Sequence, residues 1–406
     1  MRFYKETNFK DTEIGRIPKD WEIVELRNLI KLCQNGIWGD NPIPGEKSYP
    51  VIRSTDITHD GRVVLSNTAT RRILNKNVDQ YSLQDGDIVV VASSGSSHLI
   101  GRAALFIHPK DEKTYFFSNF IIRIRPSINS EFLYYYLNSY LYFDFLKSLQ
   151  QTSTGLRNLP RREWLRFKII LPPPNERQKI AEILSTIDKA IQKTNEIIAK
   201  TERLKKGLME ELLTKGIGHK EFKDTEIGRI PKEWEVVKLR TILNLKNGER
   251  PKISEIGSVP IYGANGVMGY TTECLVDNDF TLVIGRVGAS GEVHLGKGKV
   301  WISDNAIYSE NYNKLKVHLP FLFYLLKFKR LDRFASKTTH PIITQTFLKN
   351  FLIQSPKLLE QQKIAGILST IDEKLEIERK EKEKLERIKQ GMMDLLLTGK
   401  IRVKVA

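Results

Sequence analysis

Cysteine is almost absent from these 406 residues: Cys33 and Cys274 lie in different halves, and neither has a partner at metal-ligand spacing. That excludes a disulfide framework and fits free thiols in a reducing compartment. No apolar run approaches the ~18–20 residues of a bilayer-spanning helix. The opening MRFYKETNFKDTE has no apolar core of a secretory signal, so a cytoplasmic protein is expected. A GxxxxGK[ST] phosphate loop is missing. The glycine cluster GRVGASG (Gly285 to Gly291) has the wrong spacing for a dinucleotide loop and follows no βαβ pattern, so it reads as a tight turn. The seven histidines are scattered with no i,i+4 pair, which argues against zinc, and Asp277-Asn278-Asp279 lacks the Gly and Glu of a calcium loop. Leu171-Pro172-Pro173-Pro174 lacks the amide and the aromatic residue of an amino-methyltransferase segment. No catalytic residue, metal site or cofactor is therefore expected in this chain.

Charge of one sign is in excess. Sixty-five Lys+Arg against 48 Asp+Glu give a net charge of +17, which favours a polyanionic partner. Nucleic acid stands ahead of membrane, because no basic amphipathic anchor is present. An apolar fraction of 40% and a charged fraction of 28% are those of a soluble globular protein, and the length allows two or more domains.

The chain repeats itself. FKDTEIGRIPK occurs at Phe9 to Lys19 and again at Phe222 to Lys232, an offset of 213. ERQKIAEILSTID (Glu176 to Asp188) returns as EQQKIAGILSTID (Glu360 to Asp372), and LKKGLMEELLT (Leu204 to Thr214) as IKQGMMDLLLT (Ile388 to Thr398), both at an offset of 184. A tandem duplication has kept its ends, while its middles diverged and the second lost 29 residues. Each unit opens on a turn, where Gly15 and Pro18 forbid a helix, followed by Trp21 and a short strand or helix start. The middles, roughly Asn28 to Pro172 and Thr241 to Pro356, alternate short apolar runs with turn residues. GDIVVVASSGSS and FTLVIGRVGASG are examples, and the pattern predicts compact, mainly β domains. FLYYYLNSYLYFDFLKSL (Phe132 to Leu149) and PFLFYLLKFKRLDRF (Pro320 to Phe334) are predicted helices at corresponding places.

The third part of each unit is a long helix. Ile180, Leu184, Ile187, Ile191, Thr194, Ile198, Thr201, Lys205, Leu208 and Leu212 recur at alternating steps of four and three, a heptad seam with polar interruptions. Ile364, Leu368, Ile371 and Leu375 repeat it, drifting to Leu385, Met392 and Leu396. A polar helix of ~38 residues extends about 57 Å and cannot bury its apolar stripe alone. Its duplicate is the natural partner. Only a few residues join Thr214 to Phe222, so the two should pair antiparallel. The fold expected is α+β: two mixed, mainly-β domains joined by two long antiparallel helices as a coiled-coil spacer, a tandem repeat with pseudo-two-fold symmetry.

What is left for function is binding. In the first middle Arg53, Ser54, Ser94, Ser96, His98, Arg102, Asn119, Thr154 and Arg157 fall in predicted loops. In the second, Arg250, Lys252, Tyr262, Asn265, Arg286, Asn305, Lys337, His340 and Thr344 do so. Arginine can grip guanine bidentately and an amide can grip adenine, so clusters of such residues could specify a DNA sequence.

These features resemble the specificity subunits of type I restriction–modification systems. The likeness rests on PPPNERQKIAEILSTID and SPKLLEQQKIAGILSTID, and on IPxxWExVxL at Ile17 to Leu26 and Ile230 to Leu239. GDIVVVASSG and IYGANGVMGY with its downstream WISDNAIYS add to it. The second unit departs in having one proline, Pro356, where the first has three. The resemblance implies target-recognition domains at 1–172 and 217–356 and conserved spacer helices at 173–216 and 357–406. It implies a DNA-reading chain that leaves the chemistry to others. Two modification subunits, methylating adenine with S-adenosylmethionine, would dock on it, and restriction subunits, translocase and endonuclease using ATP and Mg, would add cleavage. A free-standing DNA-modifying enzyme and a structural coiled-coil adaptor remain as alternatives.

Overall fold

The computed structural model describes residues 3–74, 78–151, 158–336 and 341–404. Its contacts gather the chain into two compact units, Met1–Lys193 with Lys382–Ala406, and Thr194–Glu381.

In the first unit β1 (Phe3–Lys5) is followed by a hairpin of β2 (Phe9–Thr12) and β3 (Gly15–Pro18), and by β4 (Glu22–Glu25). Gly15 closes the hairpin at φ +106°, and Gly228 at φ +107° closes its duplicate. The middle holds β5 (Ile30–Asn35), β6 (Tyr49–Ile52), β7 (Ala69–Arg71), β8 (Ile88–Val91), β9 (Ala103–Leu105), β10 (Phe116–Phe117) and β11 (Ile121–Pro126). These form a four-stranded sheet in the order β5-β11-β8-β9 and a three-stranded sheet β10-β6-β7. Helices α1 (Ser130–Tyr136), α2 (Tyr140–Gln151) and α3 (Arg161–Trp164) lead to β12 (Lys168–Leu171), which pairs with β4, and into α4 (Pro174–Thr214).

The second unit repeats the plan with β13 (Phe222–Thr225), β14 (Gly228–Pro231), β15 (Glu235–Lys238), β16 (Leu243–Asn247), β17 (Val259–Gly263), β18 (Gly266–Thr271), β19 (Val276–Gly285), β20 (Val293–Ile302) and β21 (Ala306–Tyr312). Then come α5 (Leu319–Lys329), α6 (Gln345–Asn350), β22 (Leu352–Ser355) and α7 (Leu358–Leu396). The sheet order β16-β21-β19-β20-β17-β18 is the same arrangement made continuous. Strand β20 does the work of both β9 and β10, which the segment between Leu105 and Phe116 separates in the first unit. That insertion accounts for part of the length difference between the middles. The last strand, β23 (Ile401–Val403), returns to the first unit and pairs antiparallel with β1.

The predicted helix at Phe132 to Leu149 is broken into α1 and α2 at Leu137–Ser139. The Asn138 amide donates to Tyr134 O and Ala103 O at 2.9 and 3.2 Å, and the turn reopens at Ser139. The sequence pattern could not show this, because the competing acceptor at Ala103 is 35 residues away.

The duplicated segments are explained by one contact. The hairpin lowers Trp21 into the core, fully buried, and its indole N–H donates to Glu176 Oε2 at 3.2 Å. In the second unit Trp234, 1% exposed, donates to Glu360 Oε2 at 3.0 Å. Each opening segment thus locks onto the first turn of its helix. Truncating either Trp would cost about 3–5 kcal/mol.

Within each unit the long helices run antiparallel. In the first, Ile180, Ala181 and Leu184 share a core with Met393, Leu396 and Leu397, and Lys389 Nζ meets Asp188 Oδ1 at 2.7 Å. In the second, Leu212 and Leu213 share a core with Ile364, Ala365 and Leu368; Lys205 bonds Asp372 at 2.5 Å, and Arg379 reaches Glu202 at 2.6 Å. As one partner's number rises the other's falls, which is the signature of antiparallel pairing. Burial along the periodic stripe is graded. Thr194 and Thr201 are both 8% exposed, Leu375 is 4%, and Ile187, Leu208 and Met392 pack at its edges. Ile191 is buried as well, and Ile198, Ile371 and Leu385 are half-buried. Each lysine carries a twin set of partners: Tyr135 donates to Asp188 and Tyr324 to Asp372, both at 2.8 Å. Burial first, and the neighbouring carboxylate second, push both phenols well above their usual value.

Arg402 fastens β23 to the first unit. Its guanidinium, 7% exposed, donates five hydrogen bonds: two to Glu176, two to Asp20 and one to Glu6, at 2.6–2.9 Å. In the second unit Glu360 instead meets His219 Nε2 and the backbone N–H of Ile217, each at 2.9 Å. Among the described residues no helix is long and apolar enough to cross a membrane.

Candidate nucleic-acid interface

A four-residue turn caps the β-domain of each unit, and the two turns are built alike. In the first, Ser118-Asn119-Phe120-Ile121 closes with Ile121 N–H donating to Ser118 O at 3.0 Å. Ser118 N–H donates to Ile52 O at 2.9 Å and Gly36 N–H to Ile121 O at 3.2 Å. The carbonyl of Phe120 accepts from Ala92 and Ser93, at 2.9 and 3.1 Å. In the second unit the turn is Ser303-Asp304-Asn305-Ala306. Ala306 donates to Ser303 O at 2.9 Å, Ser303 to Tyr262 O at 2.8 Å and Gly248 to Ala306 O at 3.0 Å. The Asn305 carbonyl accepts from Arg286 and Val287, at 2.8 and 3.3 Å. Every backbone bond of one turn has its counterpart in the other.

Close approach explains the glycines. A Cβ on Gly36 would fall onto the carbonyl oxygens of Phe117 and Ser118, and one on Gly248 onto those of Ile302 and Ser303. Ser118 and Ser303 are buried, while the two residues at each tip, Asn119-Phe120 and Asp304-Asn305, are exposed. The backbone scaffold is shared, and the tip side chains differ.

The sequence-predicted residues distribute around these turns unevenly. Asn119 and Asn305 sit at the tips, and among the described residues neither side-chain amide makes a hydrogen bond. Arg286 holds the Asn305 carbonyl through its backbone, and its half-exposed guanidinium has no partner among the described residues. Ser94 and Ser96 lie in the loop after Ala92, where Ser94 Oγ accepts from Ser96 N–H at 3.1 Å, and His98 is exposed beyond them. Asn265 is exposed at the β17–β18 hairpin, and Arg250 and Lys252 are exposed nearby in sequence, Lys252 standing 3.5 Å from Glu273. Tyr262 is half-buried beside the second turn, its phenol pushed up by burial and by Tyr270.

Others serve the fold. Arg53 donates through Nε and Nη2 to Asp56 at 3.0 and 2.7 Å and to Asn67 O at 2.7 Å, beside half-buried Ser54. The Asp56 hydrogen bond raises its already high pKa. Arg102 turns inward to 9% exposure, and desolvation lowers its pKa. Thr344 caps α6, accepting from Phe347 N–H at 3.1 Å. Thr154, Arg157, Lys337 and His340 lie outside the described residues.

Sequence reading passed over Phe120, 54% exposed at the first tip. It also passed over Asn35, whose amide donates to Asn119 O at 3.4 Å. The signal was present: SNFI and SDNA stand at matching places, each preceded far upstream by Asn-Gly. Their equivalence shows only once the strands pair. Among the described residues no three His, Cys, Asp or Glu side chains gather as metal ligands. Surface turns presenting amides, a guanidinium and an aromatic ring are suited to contacting base edges, not to breaking bonds.

The architecture and these turns define a DNA-recognition protein of two duplicated halves. The chain belongs to the type I restriction modification DNA specificity domain family, whose pattern matches residues 18–203 and 231–387. It is 33% identical over its whole length to the MjaX and MjaVIII specificity subunits of type I restriction enzymes from Methanocaldococcus jannaschii, covering 99% and 98% of those chains. The fold is shared with the S subunit of the M. genitalium type I system, at a TM-score of 0.64 and 17% identity, over 98% of this chain and 100% of that one. This is a specificity subunit: within its system it supplies recognition and not catalysis.

Proposed function

We propose that each unit reads one half of an asymmetric, two-part DNA site through its capped turn and the loops around it, and that the paired helices set the gap between the halves. The observation that carries this reading is the pair of turns, identical in backbone bonding and different at every exposed tip residue. One scaffold presenting two sets of side chains reads two different sequences. The net charge of +17 supports a strong non-specific contribution, with log K falling against log salt by about 0.9 per phosphate contacted. Two modification subunits, carrying S-adenosylmethionine and methylating adenine, are the partners this reading requires, with ATP-driven restriction subunits adding cleavage. Apolar side chains on the helices away from the seam support docking. Leu204 and its duplicate Ile388 are 56% and 43% exposed, and Ile377 is 66% exposed.

The test is a swap. Residues 28–172 are replaced by the corresponding segment of another family member, and the methylated site is determined by sequencing the methylome of cells that also carry the cognate modification subunit. One half of the site should change and the other persist. Change in both halves, or in neither, refutes the modular reading.

A further inference from the structure

The two tips differ in chemistry. At the second, Asn305 is exposed and its carbonyl accepts from the backbone N–H of Arg286, whose guanidinium has no partner among the described residues; an amide and a guanidinium are the groups that grip adenine and guanine edges bidentately in the major groove of DNA. At the first, the residue in the place of Asn305 is Phe120. Its carbonyl is held by two backbone N–H groups as that of Asn305 is, so its ring is carried to the corresponding place. The residue in the place of Arg286 is Ala92, 8% exposed, which brings no polar group. A phenyl ring cannot exchange hydrogen bonds with a base edge. What it can meet in the major groove is the one apolar group that the four bases project there, the 5-methyl of thymine.

We infer that Phe120 is a specificity-determining residue that reads a thymine methyl group in the half-site of the first unit, with the exposed Asn119 amide beside it. The inference rests on the proposed reading of DNA by these turns. It explains why a ring is left 54% exposed on a turn whose backbone is held by several hydrogen bonds. It also separates the two units in kind: the first recognises an A·T pair through apolar contact, the second purines through hydrogen bonds.

The experiment uses the chain in complex with its modification subunits, on duplexes carrying the site found by methylome sequencing. Each thymine of the site is replaced in turn by deoxyuridine, which removes the methyl and leaves every hydrogen-bonding group in place. One such replacement in the first half-site should weaken binding about fourfold, the factor a buried methyl-sized group carries. In Phe120→Ala that sensitivity should vanish, while sensitivities in the second half-site stay as they were. Phe120→Leu, which keeps an apolar branch, should retain part of it and give the comparison if the alanine variant binds too weakly to measure. The inference is overturned if the first half-site contains no A·T pair, if no deoxyuridine there matters, or if the sensitivity persists in Phe120→Ala. A complex that fails to distinguish its own site from a random duplex removes the underlying reading of DNA, a result readily told apart from the other three.

Discussion

Arg402→Ala should unfasten one unit and leave the other intact. Arg402 is a single guanidinium facing three carboxylates, with 7% of its side chain exposed. The partners differ in what they lose. Asp20 is 54% exposed and will be re-solvated when the arginine goes, so its share is small. Glu176 is 4% exposed and, among the described residues, would keep the Trp21 indole N–H and the Val403 N–H at 3.3 Å. Leaving a buried charge without its counter-charge costs about 3–5 kcal/mol, a large part of the ~5–15 kcal/mol that holds a domain folded. Hydrogen exchange read by mass spectrometry separates the units. Amides of β1, β23 and the first turns of α4 should exchange faster by that free energy, while those of β16 to β21 hold their protection. Adding Glu176→Gln, which removes the orphaned charge and keeps an acceptor for Trp21, should recover at least ~1 kcal/mol.

Acid gives a second reading of the same cluster. The Arg402 hydrogen bond holds the Asp20 carboxyl below its ordinary 3.8, and backbone N–H groups, that of Asn8 first, hold Glu6 below 4.5. Depressed carboxyls stabilise the fold above their unfolded values, and that stability is lost as pH falls through the folded ones. The first unit should therefore lose protection below about pH 4.5. In Arg402→Ala the part due to Asp20 should disappear and most of that due to Glu6 remain. A change under 1 kcal/mol, or equal loss in both units, would refute the reasoning.

Three further outcomes are expected. Gly248→Ala should shift the second turn and destabilise its unit by ~1–3 kcal/mol, and it should weaken recognition of one half-site only; thermal melts and half-site selectivity check this. Arg286→Ala and Asn305→Ala should each cost roughly 1–3 kcal/mol on the specific duplex and little on random DNA, as measured by titration at fixed salt. Inserting four residues near Asn195 and four at the duplicate position near Arg379 lengthens the helix pair by about 6 Å with a rotation of roughly 40°. Methylome sequencing should then find the gap widened by one or two base pairs and both half-sites unchanged; methylation only at the original spacing defeats the spacer reading.

Much of this architecture is local and therefore legible in the chain. The duplicated FKDTEIGRIPK segments become hairpins because Gly15 and Gly228 permit the turn and Pro18 and Pro231 stop a helix. The four-three spacing from Ile180 to Leu212 sets a stripe on one helix face, and the few residues between Thr214 and Phe222 leave antiparallel pairing as its solution. The paired four-residue turns were not legible in this way. Each draws on four segments scattered through its domain, for example Gly36, Ile52, Ala92 and Phe117–Ile121, and strand pairing alone brings them together. The same long-range pairing turned Arg102 inward, spent Arg53 on Asp56 and placed Arg402 among three carboxylates up to 396 residues away in sequence. Periodicity and turn chemistry act over a few residues and fix the elements. Which side chains are left facing outward depends on what those elements cover, and that only the tertiary structure decided.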